Sequence, residues 1–119
     1  MSQRKDTQNK MKREKIYVAG PLNADAVGYI KNIHRMIHVA NELRKKGHFP
    51  YVPCLDFLLG LIDGKMEYDD YLQSNKPWIE VADAFYYIAS SPGADKELHV
   101  AKKLGKKIYK SLDEVADVR

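Results

Sequence analysis

Apolar and polar positions along the 119-residue chain predict a repeating order of strand and helix. Ile16-Tyr17-Val18-Ala19 is a short β-prone run closed by Gly20-Pro21, as befits a buried strand ending in a loop. Ile30, Ile33, Ile37, Ala40 and Leu43 then recur at steps of three and four, an apolar stripe on a helix of about 20 residues. Gly47 ends it after the basic last turn Arg44-Lys45-Lys46, which complements the helix dipole. His48 to Val52 predicts a second strand, which Pro50 confines to an edge or a shortened ladder. The stretch 53–65 mixes Leu55, Phe57, Leu58, Leu59, Leu61 and Ile62 with Gly60 and Gly64, and reads as a lid or a subunit contact. Glu67 to Val81 predicts a helix that packs through Tyr68, Tyr71, Leu72, Trp78 and Ile79 and is kinked or split at Pro77. Asp83 to Ala89 is the clearest strand, and Ser90-Ser91-Pro92-Gly93 opens a helix from about Ala94 to Leu104 that Gly105 stops. Lys107 to Tyr109 predicts a last strand, and Ser111 with Glu114 is a capping-box signature for a terminal helix.

Strands alternating with helices imply an α/β fold, with a parallel sheet of four to five strands covered on both faces in a three-layer sandwich. Ligands in such sheets sit beyond the carboxyl ends of the strands, here residues 20–25, 53–56 and 90–97. The length bounds the chain to one core, and 45% hydrophobic with 30% charged residues excludes a disordered, collagen-like or repeat protein. No apolar run approaches the roughly 20 residues of a membrane span. Charge is unevenly spread: residues 1–15 hold six Lys and Arg against two Asp and Glu, so the whole formal +4 lies there. Residues 1–14 therefore read as a disordered basic tail and 15–119 as the domain, and the basic balance does not describe a folded nucleic-acid surface. The tail lacks an apolar core of the secretory type and Cys54 is alone, so a reducing cytoplasm is the expected compartment and no disulfide forms within the chain.

Glu97 is the most informative polar residue. If the helix begins at Gly93 or Ala94, its carboxylate lies in the first turn, where the dipole and unpaired N–H groups favour an anion poised as a nucleophile or as the partner of a developing cation. A glutamate there is also ordinary helix design. Ser90, Ser91 and Gly93 offer hydroxyls and N–H groups at the same helix start, either an anion cradle or a plain helix entry. Gly20 permits a ligand close to the backbone. The chain has neither a G-x-G-x-x-G nor a Walker A pattern. His34 and His38 stand one helical turn apart, but no nearby carboxylate or Cys completes a metal set, so they read as flank positions. Trp78, Tyr86 and Tyr87 read as packing residues, and Lys102, Lys103, Lys106 and Lys107 as a solvated helix end.

Taken together, Tyr17-Val-Ala-Gly-Pro21, Ala82-Asp83-Ala84 and Ser91-Pro-Gly-Ala-Asp-Lys-Glu97 followed by Ala101 and Gly105 resemble the nucleoside 2-deoxyribosyltransferase-like superfamily, from about Lys15 to Tyr109. Within it the chain looks closest to a short branch related to the 2′-deoxynucleoside 5′-phosphate N-hydrolases. The resemblance implies a flavodoxin-like, Rossmann-like sheet and a glutamate nucleophile at Glu97 that attacks the anomeric carbon of a nucleoside or nucleoside monophosphate. A covalent glycosyl-enzyme then forms, which water or a second base resolves. It also implies Tyr17 beside the nucleophile, Gly20, Pro21 and Asn23 along the sugar or phosphate, and Ser91, Gly93 and Ala94 at the anion cradle. Asn75 falls where the superfamily usually has Asp, with Asp70 or Asp69 as a replacement. The first loop, Leu22-Asn23-Ala24-Asp25, lacks the Arg of the phosphohydrolases. The expected partners are a small-molecule substrate and further copies of the chain, a homodimer or larger, with no cofactor, metal, membrane or nucleic-acid polymer. The competing readings are a non-catalytic nucleotide-binding module of the same fold and a pure assembly domain.

Overall fold

The computed structural model describes residues 12–22, 25–53 and 68–119. Strand β1 (Lys15–Ala19) is followed by helix α1 (Ala26–Lys45), strand β2 (Phe49–Tyr51), helix α2 (Tyr68–Val81), strand β3 (Ala84–Tyr87), helix α3 (Pro92–Lys103), strand β4 (Lys107–Tyr109) and a single 3-10 turn (Leu112–Glu114). All pairings are parallel and the strand order is β2-β1-β3-β4. This is the α/β sheet that the strand–helix alternation predicts, with four strands among the described residues. The 55–62 segment and Asn23 lie outside them.

Side chains of a strand alternate between faces, so the sheet divides the apolar residues into two cores. Ile16, Val18, Ala84, Tyr86 and Tyr109 pack with Val39 and Leu43 of α1. Tyr17, Ala19 and Phe85 pack on the other side with Ile79 of α2 and with Ala94 and Ala101 of α3. Register aligns Tyr51, Tyr17 and Phe85 across three neighbouring strands, which makes one aromatic row on the α2–α3 face.

Helix α1 corrects the predicted stripe. Its buried residues are Met36, Val39, Ala40 and Leu43, whereas Ile30 is 66% exposed and Ile37 also faces outward. Twenty helical residues span about 30 Å, while a five-residue strand spans about 17 Å, so only the second half of α1 can lie over the sheet. Helix α2 is not split at Pro77: it runs through the proline as one helix. The proline lacks the N–H that would bond to Gln73, and Gln73 is exposed, so water can serve that carbonyl. Trp78 is exposed, not a core residue, while Ile79 is fully buried and Tyr71 and Leu72 are half-buried. The terminal helix is cut to the one 3-10 turn, at which the Glu114 carboxylate accepts from the N–H groups of Lys110 and Ser111 at 2.7 and 2.9 Å.

Glu14, which the charge pattern assigns to the tail, is 9% exposed. Its carboxylate accepts from the Tyr109 hydroxyl at 2.5 Å and from Lys107 Nζ at 3.0 Å, and its N–H donates to His48 Nδ1 at 3.0 Å. Lys107 is thus exposed yet paired, and Lys106 Nζ donates to the Glu80 carbonyl at 2.7 Å. The buried His48 pairs through Nε2 with the Ala116 carbonyl at 2.8 Å, which fixes the proton on that nitrogen.

Gly47 closes α1 with φ 101°, and the Gly47 and His48 N–H groups fold back on the Arg44 and Leu43 carbonyls at 2.9 and 3.0 Å. A Cβ at Gly47 would stand 2.9 Å from Val118 Cγ2. Residues 112–118 are held against this turn: Lys46 Nζ donates to the Leu112 and Val115 carbonyls, and the Val118 N–H donates to the Lys46 carbonyl at 2.7 Å.

Candidate active site

Tyr17 is wholly buried in the middle of β1, between the ring of Phe85, stacked at 5.5 Å, and that of Tyr51, tilted at 5.7 Å. Trp78 of α2 stacks on Tyr51 at 5.2 Å and extends the row outward. Packing of this kind leaves the phenol one orientation, and its hydroxyl donates to Glu97 Oε2 on α3. The two residues are 80 apart in the chain, so the fold alone unites them. A hydroxyl bonded to a carboxylate is worth about 1.5–3 kcal/mol and sets the direction in which the acid points. Glu97 itself is half-buried.

The start of α3 changes the electrostatic argument for Glu97. Ser91 is the N-cap: its Oγ accepts from the Ala94 N–H at 3.0 Å, and Pro92 follows at the first helical position. Glu97 therefore lies in the second turn, and the first-turn acid is Asp95. Its carboxylate accepts from the Tyr87 and Ser90 hydroxyls, both at 2.7 Å. Tyr87 first, and Ser90 next, hold the Asp95 carboxyl below its ordinary value, and the same bond pushes the Tyr87 phenol up. The helix start already holds an anion of the protein's own. The sequence signal for this cluster was present in the acid two residues before Glu97 and in the strand-end Tyr87, but a half-buried tyrosine reads as packing until its partner is known.

Of the other expected site residues, Gly20 and Pro21 follow β1 and are half-buried. A Cβ on Gly20 would stand 3.1 Å from that of Ile88, so this glycine serves the approach of two strand ends. Gly93 is half-buried and Ala94 buried in the α3 core. Asp70 is exposed on the first turn of α2. Asn75 is only 5% exposed, and its Oδ1 has no hydrogen-bond partner among the described residues. His34 and His38 are exposed on α1, and no group of three His, Cys, Asp or Glu among the described residues is placed to hold a metal ion. No helix among those residues is long and apolar enough to cross a membrane.

Residues 14–110 match the family described as Domain of unknown function (DUF4406). A solved structure of a 2-deoxyribosyltransferase from Bacillus psychrosaccharolyticus is similar, with a TM-score of 0.62 at 23% sequence identity, covering 79% of this chain and 69% of that one. At that identity the likeness speaks for the fold. No curated protein matches the chain.

Proposed function

The chain belongs to the DUF4406 family, within the nucleoside 2-deoxyribosyltransferase-like superfamily, and on that premise we propose that it cleaves or transfers the N-glycosidic bond of a nucleoside or nucleoside 5′-monophosphate. The observation that carries this reading is the bond from the buried Tyr17 hydroxyl to Glu97. In the proposed reaction a Glu97 carboxylate oxygen bonds to the anomeric carbon as the carbon–nitrogen bond breaks, and that electron pair leaves with the base. Developing positive charge on the sugar ring faces the carboxylate anion, which lowers the barrier where the charge forms. Water or a second base then attacks the same carbon and returns the carboxylate. Tyr17 holds Glu97 in line for both steps, and Asn75 hydrogen-bonds the base or sugar without transferring a proton at neutral pH. Further copies of the chain, a homodimer or larger ring, would complete the pocket.

Chromatographic assay of base release across a panel of nucleosides and their 5′-monophosphates tests the reading. The protein releases base from at least one member, and Glu97→Ala lowers the rate about 10³-fold or more with an unchanged circular-dichroism spectrum. An equally active Glu97→Ala protein removes the nucleophile. Saturable binding of a panel member with no product from the unaltered protein instead supports the non-catalytic module, for which the orphaned Asn75 oxygen is the motive.

A further inference from the structure

A cleft of about 290 Å³ lies on the α1 face of the sheet, across from the face to which Tyr17 and Glu97 belong. Its floor is apolar, with Tyr86 and Ile88 from the end of β3. Its rim carries Arg35 and His38 from α1 on one side and Lys110 and Ser111 from the end of β4 on the other. Arg35 and Lys110 therefore bring two exposed cations to the lining of one cleft. No ion pair or side-chain hydrogen bond engages Arg35 or Lys110 among the described residues. The acids nearby are Glu42, which faces His38 and is paired with Lys45 at 3.0 Å, and Asp113 and Glu114, of which Glu114 is folded onto the Lys110 and Ser111 N–H groups, 2.7 and 2.9 Å away. Burial first, then Glu114 and Asp113, push the Tyr86 phenol up, so the floor is a neutral ring with no charge of its own.

We propose that this cleft binds a small phosphate monoester with a flat, apolar body, with its phosphate between Arg35 and Lys110 and its body on Tyr86 and Ile88. The donor count selects phosphate: a guanidinium fork, an ammonium, a serine hydroxyl and an imidazole N–H can meet three terminal oxygens from opposite sides, more than a carboxylate can use. The apolar floor selects an organic ester over the free ion, because the half-buried Ile88 and Leu112 beside the buried Tyr86 lose their water only when a hydrophobic surface covers them. The site does not depend on the glycosidic reading, since its side chains belong to the sheet face opposite that of Tyr17.

Titration calorimetry with phenyl phosphate and with inorganic phosphate, on the Glu97→Gln protein so that turnover does not contribute, tests this site. Phenyl phosphate binds saturably and more tightly than inorganic phosphate, and Arg35→Gln and Lys110→Gln each weaken it about tenfold, the loss expected for one charge-assisted contact. Backbone amide shifts on titration concentrate at 86–88 and 110–112. Lys102→Gln and Lys103→Gln, exposed cations at the end of α3 that remove the same net charge, leave the affinity unchanged. No saturable binding, equal weakening by all four variants, or amide shifts confined to the Tyr17–Glu97 face would overturn the proposal.

Discussion

Two tyrosine–glutamate pairs sit on opposite faces of one sheet and end in different surroundings. Tyr109 donates to Glu14 on the α1 face, and Tyr17 donates to Glu97 on the α2–α3 face. The first pair is closed. Lys107 takes the second carboxylate oxygen, and the main chain of Glu14 is used in both directions, its N–H by His48 and its carbonyl by the Phe49 N–H at 2.8 Å. The second pair is half-buried, on a helix whose capped start lies beside the strand ends where α/β sheets hold ligands. Donor chemistry is the same in both. A cation and a full set of backbone bonds make one pair a staple between the start of β1 and the outer strand β4, whereas the other ties the middle of β1 to the second turn of α3.

Breaking the two pairs separates stability from activity. Glu97→Ala gives the largest effect on rate, the loss of about three orders of magnitude in base release given above, with a fall in stability no larger than the stranded Tyr17 hydroxyl accounts for, about 1–2 kcal/mol. Glu14→Ala does the reverse: it strands Tyr109 and Lys107, lowers the unfolding free energy by about 3 kcal/mol in urea titrations, and spares the activity of the folded fraction. Tyr17→Phe keeps the ring stack and deletes only the hydroxyl, so kcat/KM falls about tenfold to a hundredfold. Equal loss of Tm and of kcat/KM in that variant would make the second pair a staple like the first. Ser91→Ala removes the α3 cap and costs about 1 kcal/mol, read by thermal melts, with a smaller effect on rate.

The smallest effect is a pH dependence at the amino edge. The Lys15 N–H, 2.8 Å away, and after it Lys12 hold the Asp83 carboxyl below its ordinary value of 3.8. A carboxyl depressed in the folded state contributes stability above its unfolded value and loses it as pH falls through the folded one. Asp83→Asn is therefore slightly less stable than the parent at neutral pH, and the gap in Tm closes as pH falls below about 4. A gap independent of pH would assign the cost to shape instead of charge.

Much of the architecture could be read from the chain because period and punctuation agreed. Ile16–Ala19 and Ala84–Tyr87 are apolar runs, and Gly47 and Gly105 mark helix ends where φ is 101° and 72°. The phase of α1 could not be read, since Ile30 and Ile37 fall on a stripe of the right spacing, but the buried stripe of Met36, Val39, Ala40 and Leu43 is rotated round the helix from it by about 100°. Glu14 was hidden by its neighbours: six basic residues in the first fifteen look like a tail, and nothing local says that one acid among them reaches residues 107 and 109. Glu97 and Tyr17 were legible as candidates, through the resemblance of their motifs, while Glu97's place in the second turn depended on the cap at Ser91.

The grip of residues 46–48 on the segment after β4 bears on where the domain ends. The family match stops at residue 110. A chain trimmed to residues 14–110 would uncover the core that Val115 and Val118 seal and leave Lys46 and the His48 imidazole without their carbonyls. The packed interior therefore extends past the span of the family match, and truncations designed on that span would shed part of it.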